Sequence, residues 1–175
     1  MKIICSVCQK SKPSLVCSAC HSPVCKHCAQ FIDVDSFTYA PERLAKIRSQ
    51  YTDGVFCSVC FENHIAAEVN EYETTLAEAK KVSVFFKKHS KETRLIKRRE
   101  EIVRVVDCPD YDEAILRLAF QAAKVKCNAL IDVILDSKKM NVGTYTHAKW
   151  SGNGRPARVD EKVLTHDRMV IGNPN

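Results

Sequence analysis

Eight cysteines in the first sixty residues fall into four Cys-x2-Cys pairs: Cys5/Cys8, Cys17/Cys20, Cys25/Cys28 and Cys57/Cys60. Gaps of 8, 4 and 28 residues separate them. Each pair can form a knuckle, a tight turn that aims two sulfurs at one ion, and two knuckles complete a closed tetrahedral shell. Eight ligands therefore imply two ions, and two Zn(2+) are the expected cofactors. A disulfide scaffold is the competing use of so many cysteines. It is disfavoured because Met1-Lys2-Ile3-Ile4 runs straight into the first knuckle rather than through a secretory leader. A cytoplasmic, reducing location is expected, and no apolar run approaches the roughly 18 residues of a membrane span.

The four-residue gap sets the second and third knuckles almost back to back, which favours interleaving. Cys5, Cys8, Cys25 and Cys28 are assigned to one ion, and Cys17, Cys20, Cys57 and Cys60 to the other. Sequential pairing would instead give two separate ribbons. The segment is too short to bury much apolar surface, so ligation must supply much of its stability. Ligation also changes the charge: eight thiolates and two divalent ions bring the formal +6 of the chain down to +2.

The order of these pairs resembles the cross-brace zinc fingers, nearest in ligand type to the FYVE class. The resemblance covers residues 5 to 60 and implies two-zinc binding with a helix leaving the last knuckle. FYVE fingers bind a phosphoinositide through a basic cluster around the third pair, and of that cluster this chain keeps Lys26 and His27. A RING-type finger, part of a ubiquitin ligase, is the alternative if His21 replaces Cys20 as a ligand. That reading needs an exposed apolar groove, for which Ile3, Val7, Pro23 and Val24 are the candidates. His21 and His27 are otherwise read as polar neighbours of the sites.

Beyond the knuckles, Pro41 opens a helix to about Gln50 with Leu44, Ile47 and Tyr51 along one side, and Thr52-Asp53-Gly54 turns the chain into the last pair. Residues 61–81 read as a connecting helix, with Ile65, Val69, Tyr72, Leu76 and Ala79 at heptad-like spacing. This seam is expected to pack within the chain; a homo-oligomeric coiled coil is the other reading. Residues 87–99 hold seven Lys or Arg against one acid. Such a segment can attract nucleic acid or anionic lipid.

Residues 82–160 are expected to form an α+β domain, one helix against an antiparallel-rich sheet. Strands are read at 82–86, 102–106 and 129–135. A helix starts at the N-cap Asp110 and runs to about Lys126, with Ile115, Leu118, Ala119, Ala122 and Val125 on one face. Residues 144–150 alternate, and Gly152-Asn153-Gly154 is read as a bulge or turn before 155–159. Residues 161–175 are read as a loosely held tail. The run from Ala122 to Val133, followed by a strand ending in Ser151-Gly152, resembles a small bacterial family of heavy-metal-binding domains that form rings. Lys126 and Asp132 stand where that family has glycine.

No phosphate-binding glycine loop, nucleophile elbow or helical histidine pair is present, so the chain is not expected to be an enzyme. Cys108, Cys127, Tyr145 and Trp150 are read as packing residues, and a site combining the two cysteines with His147 or His166 is the minor alternative. The expected role is that of a zinc-binding, non-catalytic interaction or assembly protein whose partner is another protein.

Overall fold

In a computed structural model of the chain, residues 4–10, 12–33, 35–87, 96–142 and 145–159 are described, the first and last stretches of the sequence falling outside them. The expected tail and most of the basic segment therefore lie outside the described residues. The chain is mixed α+β and divides into two compact units, Met1–Glu73 and Thr74–Asn175.

In the first unit, β1 (Leu15–Val16) and β2 (Pro23–Val24) form one small antiparallel pair, with Leu15 opposite Val24. The strand β3 (Ala29–Phe31) leads through a loop to α1 (Pro41–Gln50) and then to β4 (Val55–Cys57), its antiparallel partner. Pro41 sits at the first helical position, where no amide hydrogen bond is lost, and the helix closes when the Tyr51 amide donates to the Ile47 carbonyl. Gly54 then turns the chain at φ +61°, where a Cβ would lie 2.5 Å from the Ile32 carbonyl oxygen. No other residue fits that crossing without moving backbone.

The expected single helix over 61–81 is two helices. α2 (Ser58–His64) begins inside the last knuckle, and α3 (Ala66–Ala79) follows after Ile65, whose φ of −120° departs from helical geometry. Ile65, Tyr72 and Ala79 of the anticipated seam are buried. Tyr72 meets Phe37 edge-on at 5.1 Å, and its hydroxyl accepts the Tyr39 amide. Within the same unit, Arg43 bridges Glu68 and Glu71 at 3.0 and 2.7 Å, tying α1 to α3. Phe56, fully buried, stacks edge-on against Tyr51 and Phe61.

The second unit holds a five-stranded sheet: β5 (Ser83–Phe86), β6 (Ile96–Arg99), β7 (Val103–Cys108), β8 (Ala129–Val142) and β9 (Tyr145–Val159), with α4 (Tyr111–Lys124) between β7 and β8. β5 runs parallel to β8, and the other pairings are antiparallel. β6 and β7 share the far edge of β9 in succession. α4 lies against β7, β8 and β9, burying Ala114, Leu118, Ala119 and Ala122 completely.

Asp110 caps α4 by accepting the Glu113 amide at 2.7 Å. The far end stops earlier than the sequence suggests. The Cys127 amide donates to Ala122 O and the Lys126 amide to Ala123 O, with Lys126 itself at φ +58°. This is the two-bond Schellman closure, in which the left-handed position is normally glycine. Val125, expected on the buried face, is consequently off the helix and 40% exposed.

Two further readings change. Gly152-Asn153-Gly154 neither bulges nor turns but continues β9, and the irregularities fall instead on its partners, at Ile131/Ile134 of β8 and Val105/Cys108 of β7. The left-handed residues Asp132 (φ +54°) and Asp107 (φ +56°) mark those bulges. The glycines serve close packing: a Cβ on Gly152 would lie 2.2 Å from Leu135 Cδ2 and 2.7 Å from Ile134 O. The central strand read at 129–135 runs on to Val142, and β6 forms where the sequence suggests only a charged segment.

Candidate metal centre

The eight paired cysteines come together as two sulfur tetrads. Cys5, Cys8, Cys25 and Cys28 form one group and Cys17, Cys20, Cys57 and Cys60 the other, the sulfurs of each lying within 4.8 Å of one another. The grouping is interleaved, and the β1–β2 hairpin explains how. Its turn is the second knuckle, so Cys17 leaves the end of β1 toward one tetrad, while Cys25, just past β2, returns beside Cys5.

The tetrads are built alike. In the first, the Gln9 amide donates to Cys5 O and Gln9 is left-handed at φ +55°; in the second, the His21 amide donates to Cys17 O and His21 has φ +57°. His21 is thus the residue that reverses the chain after the knuckle, a conformation histidine adopts more readily than most. It belongs to neither sulfur group, and neither does His27. The lead sulfur of each tetrad accepts an amide from the opposite knuckle: Cys25 N–H to Cys5 Sγ at 3.3 Å, and Cys57 N–H to Cys17 Sγ at 3.4 Å. The last knuckle runs from the end of β4 into the first turn of α2.

Sulfur spacing fits a tetrahedral ion. Cys8 and Cys25, and Cys20 and Cys57, stand 3.9 Å apart. Thiolates about 2.3 Å from a central zinc sit roughly 3.8 Å from one another, whereas a disulfide needs about 2.05 Å. None of the ten cysteines is joined in a disulfide. Cys5, Cys17, Cys25, Cys57 and Cys60 are buried, and Cys20 is the exposed ligand.

Without an ion the thiols divide their protons unequally. Burial alone would raise Cys17, but amides of Cys20, Cys57 and Ala19 converge on its sulfur and hold it to about 6. The Cys8 amide lowers Cys5, and the Ser22 hydroxyl and amide lower Cys20. Cys28 is pushed up to about 12, chiefly by its sulfur contact with Cys25, and Cys60 is raised by burial and then by Cys57. Each tetrad thus pairs at least one stabilised thiolate, Cys5 in the first and Cys17 and Cys20 in the second, with a thiol that holds its proton more tightly.

Ser22 and the converging amides were not singled out from sequence. The only signal was the short spacing of Ser22 from Cys20. The other two cysteines are packing thiols: Cys108 is fully buried and raised by desolvation, and Cys127 is buried. Trp150 stacks edge-on against Tyr111 at 5.2 Å, His147 is exposed, and His166 lies outside the described residues. No described helix is long and apolar enough to cross a membrane. Compared with family models, curated proteins and solved structures, the chain finds no match in any of the three.

Proposed function

We propose that the chain is a zinc-binding, non-catalytic interaction protein whose first unit is a cross-brace finger. One observation carries the reading: two interleaved groups of four cysteine sulfurs, each spaced for a tetrahedral ion. Four soft thiolates select zinc among the common divalent metals. They also fill its coordination shell, leaving no position for a water or substrate, so the ion's work is structural. The same thiolates suit the reducing cytoplasm.

A rigid finger of this kind presents surface rather than chemistry, and a protein is the partner it suits. Val7, Val16, Phe31 and Val59, all exposed on this unit, supply apolar contact area. The ubiquitin-ligase reading draws less support, because Cys20 rather than His21 completes its tetrad. Of its candidate groove residues, Val24 is fully buried, Pro23 is half-buried, Val7 is exposed, and Ile3 lies outside the described residues. Lipid or nucleic-acid binding through 87–99 rests on charge alone. Ring assembly by the second unit rests on the resemblance noted above, to which the structure adds that Lys126 and Asp132 both occupy left-handed positions.

Native mass spectrometry of the full chain, with and without chelator, tests the proposal and reports the oligomer as well. Two zinc ions per chain, both stripped by chelator, are expected. Fewer than two, or sulfurs joined as cystines, would remove its basis.

A further inference from the structure

The β8–β9 hairpin outgrows its sheet. β5 pairs with β8 only as far as Val133, and β7 pairs with β9 only between Gly154 and Trp150. From the row Lys138–Lys149 to the row Val142–Tyr145 the two strands pair with each other alone among the described residues. Four steps of strand extend this ribbon about 14 Å. Its root is anchored where Trp150 stacks on Tyr111.

The ribbon's charge is one-sided in sign. From Ser137 to Trp150 the sequence has three lysines and no acid, and the nearest acid before it is Asp136 at the root. Lys138 lies directly opposite Lys149, while Lys139, the next residue along, points to the other face beside Ala148. Lys138 and Lys139 are exposed and Lys149 is half-buried. None of the three forms an ion pair among the described residues. Like charges directly opposite on a ribbon weaken it, so this pair is costly for the fold by itself. A polyanion would turn that cost into affinity.

We propose that this ribbon binds duplex DNA, with Lys138, Lys139 and Lys149 paired to backbone phosphates. The major groove of B-form DNA admits a two-stranded ribbon and flanks it with a phosphate chain on each side. Lysines on both faces suit that geometry; a flat anionic membrane would neutralise only one face. A-form RNA has a major groove too narrow for the ribbon to enter. The ribbon's lysines are neither sequence neighbours of the eight paired cysteines nor part of the run 87–99.

The test uses the full, zinc-loaded chain and a fluorescent mixed-sequence duplex of about 20 base pairs, titrated by anisotropy across salt concentrations. The triple variant K138Q/K139Q/K149Q should bind about tenfold or more weakly near 0.1 M salt. Its plot of log affinity against log salt should be shallower by about 2 to 3, one counterion per lost phosphate contact. Lys138→Gln alone separates this role from a structural one: it should weaken binding while raising the melting temperature by about a degree or more, because the opposed charge is relieved. The proposal is overturned by a wild-type chain that ignores duplex DNA at low salt, or by a triple variant with unchanged affinity and slope. Tighter binding to an RNA duplex or to phosphatidylserine vesicles than to DNA also overturns it, as does weakened binding seen only in variants whose melting temperature falls.

Discussion

The two units reach stability by different routes. In Met1–Glu73, strands of two or three residues carry almost no ladder, and five of the eight ligand cysteines are among the buried residues. In Thr74–Asn175 a fourteen-residue helix seals a sheet whose longest strands have 14 and 15 residues. Cysteine sulfurs share the interior of the first unit with side chains such as Phe37, Ile47 and Phe56, whereas alanine, leucine and valine fill the second. A short chain can define a surface without a large core, provided an ion takes over the centre.

The strongest way to break this contrast is to take the metal away. Structural zinc contributes on the order of 10 kcal/mol per site, so a chelator should unfold the first unit. Trp150, the one tryptophan, sits in the second unit, stacked on Tyr111. Its emission should stay unchanged while amide signals of residues 5–60 collapse; a red shift accompanying zinc loss would mean that the two units do not stand separately. Acid should act in the same direction, since protons compete with the ion for thiolates and loading falls as pH falls.

The converse experiment is Leu118→Ala, at a fully buried position of α4. A loss of about 2–5 kcal/mol is expected in urea unfolding followed by Trp150 fluorescence. Zinc content should remain at two per chain. The smallest effect has the opposite sign. Lys126→Gly relieves a left-handed lysine at the helix end and should raise the stability of the second unit by about 1 kcal/mol. The exposed contact of Lys126 with Glu78 offsets little of this. A lowered urea midpoint would assign Lys126 a packing role that its exposure does not suggest.

The two cysteine groups were legible in the sequence, because the Cys-x2-Cys spacing fixes each pair locally. The four residues between Cys20 and Cys25 favoured the interleaving over sequential pairing, and the interleaved grouping is the one the fold has. Fold features were legible where one residue imposes local geometry, as Pro41 does at the start of α1 and Asp110 at the start of α4. They were lost where context prevailed. Lys126 occupies a position that sequence reserves for glycine, so the end of α4 was misplaced. Gly152 and Gly154 look like a turn, yet they are there to admit Leu135 and Val133 of the neighbouring strand. Residues 136–141 of β8 are exposed on both faces and have no alternation to announce them.

The shared hairpin has a consequence for how the finger responds to scarcity. Because β1 and β2 feed opposite tetrads, emptying one proposed zinc site should loosen the strand that positions ligands for the other. Partial occupancy is therefore the least favoured condition, and the finger should fill and empty in a single concerted step. Under metal limitation a population of these chains would split into loaded and collapsed molecules, with few halfway between.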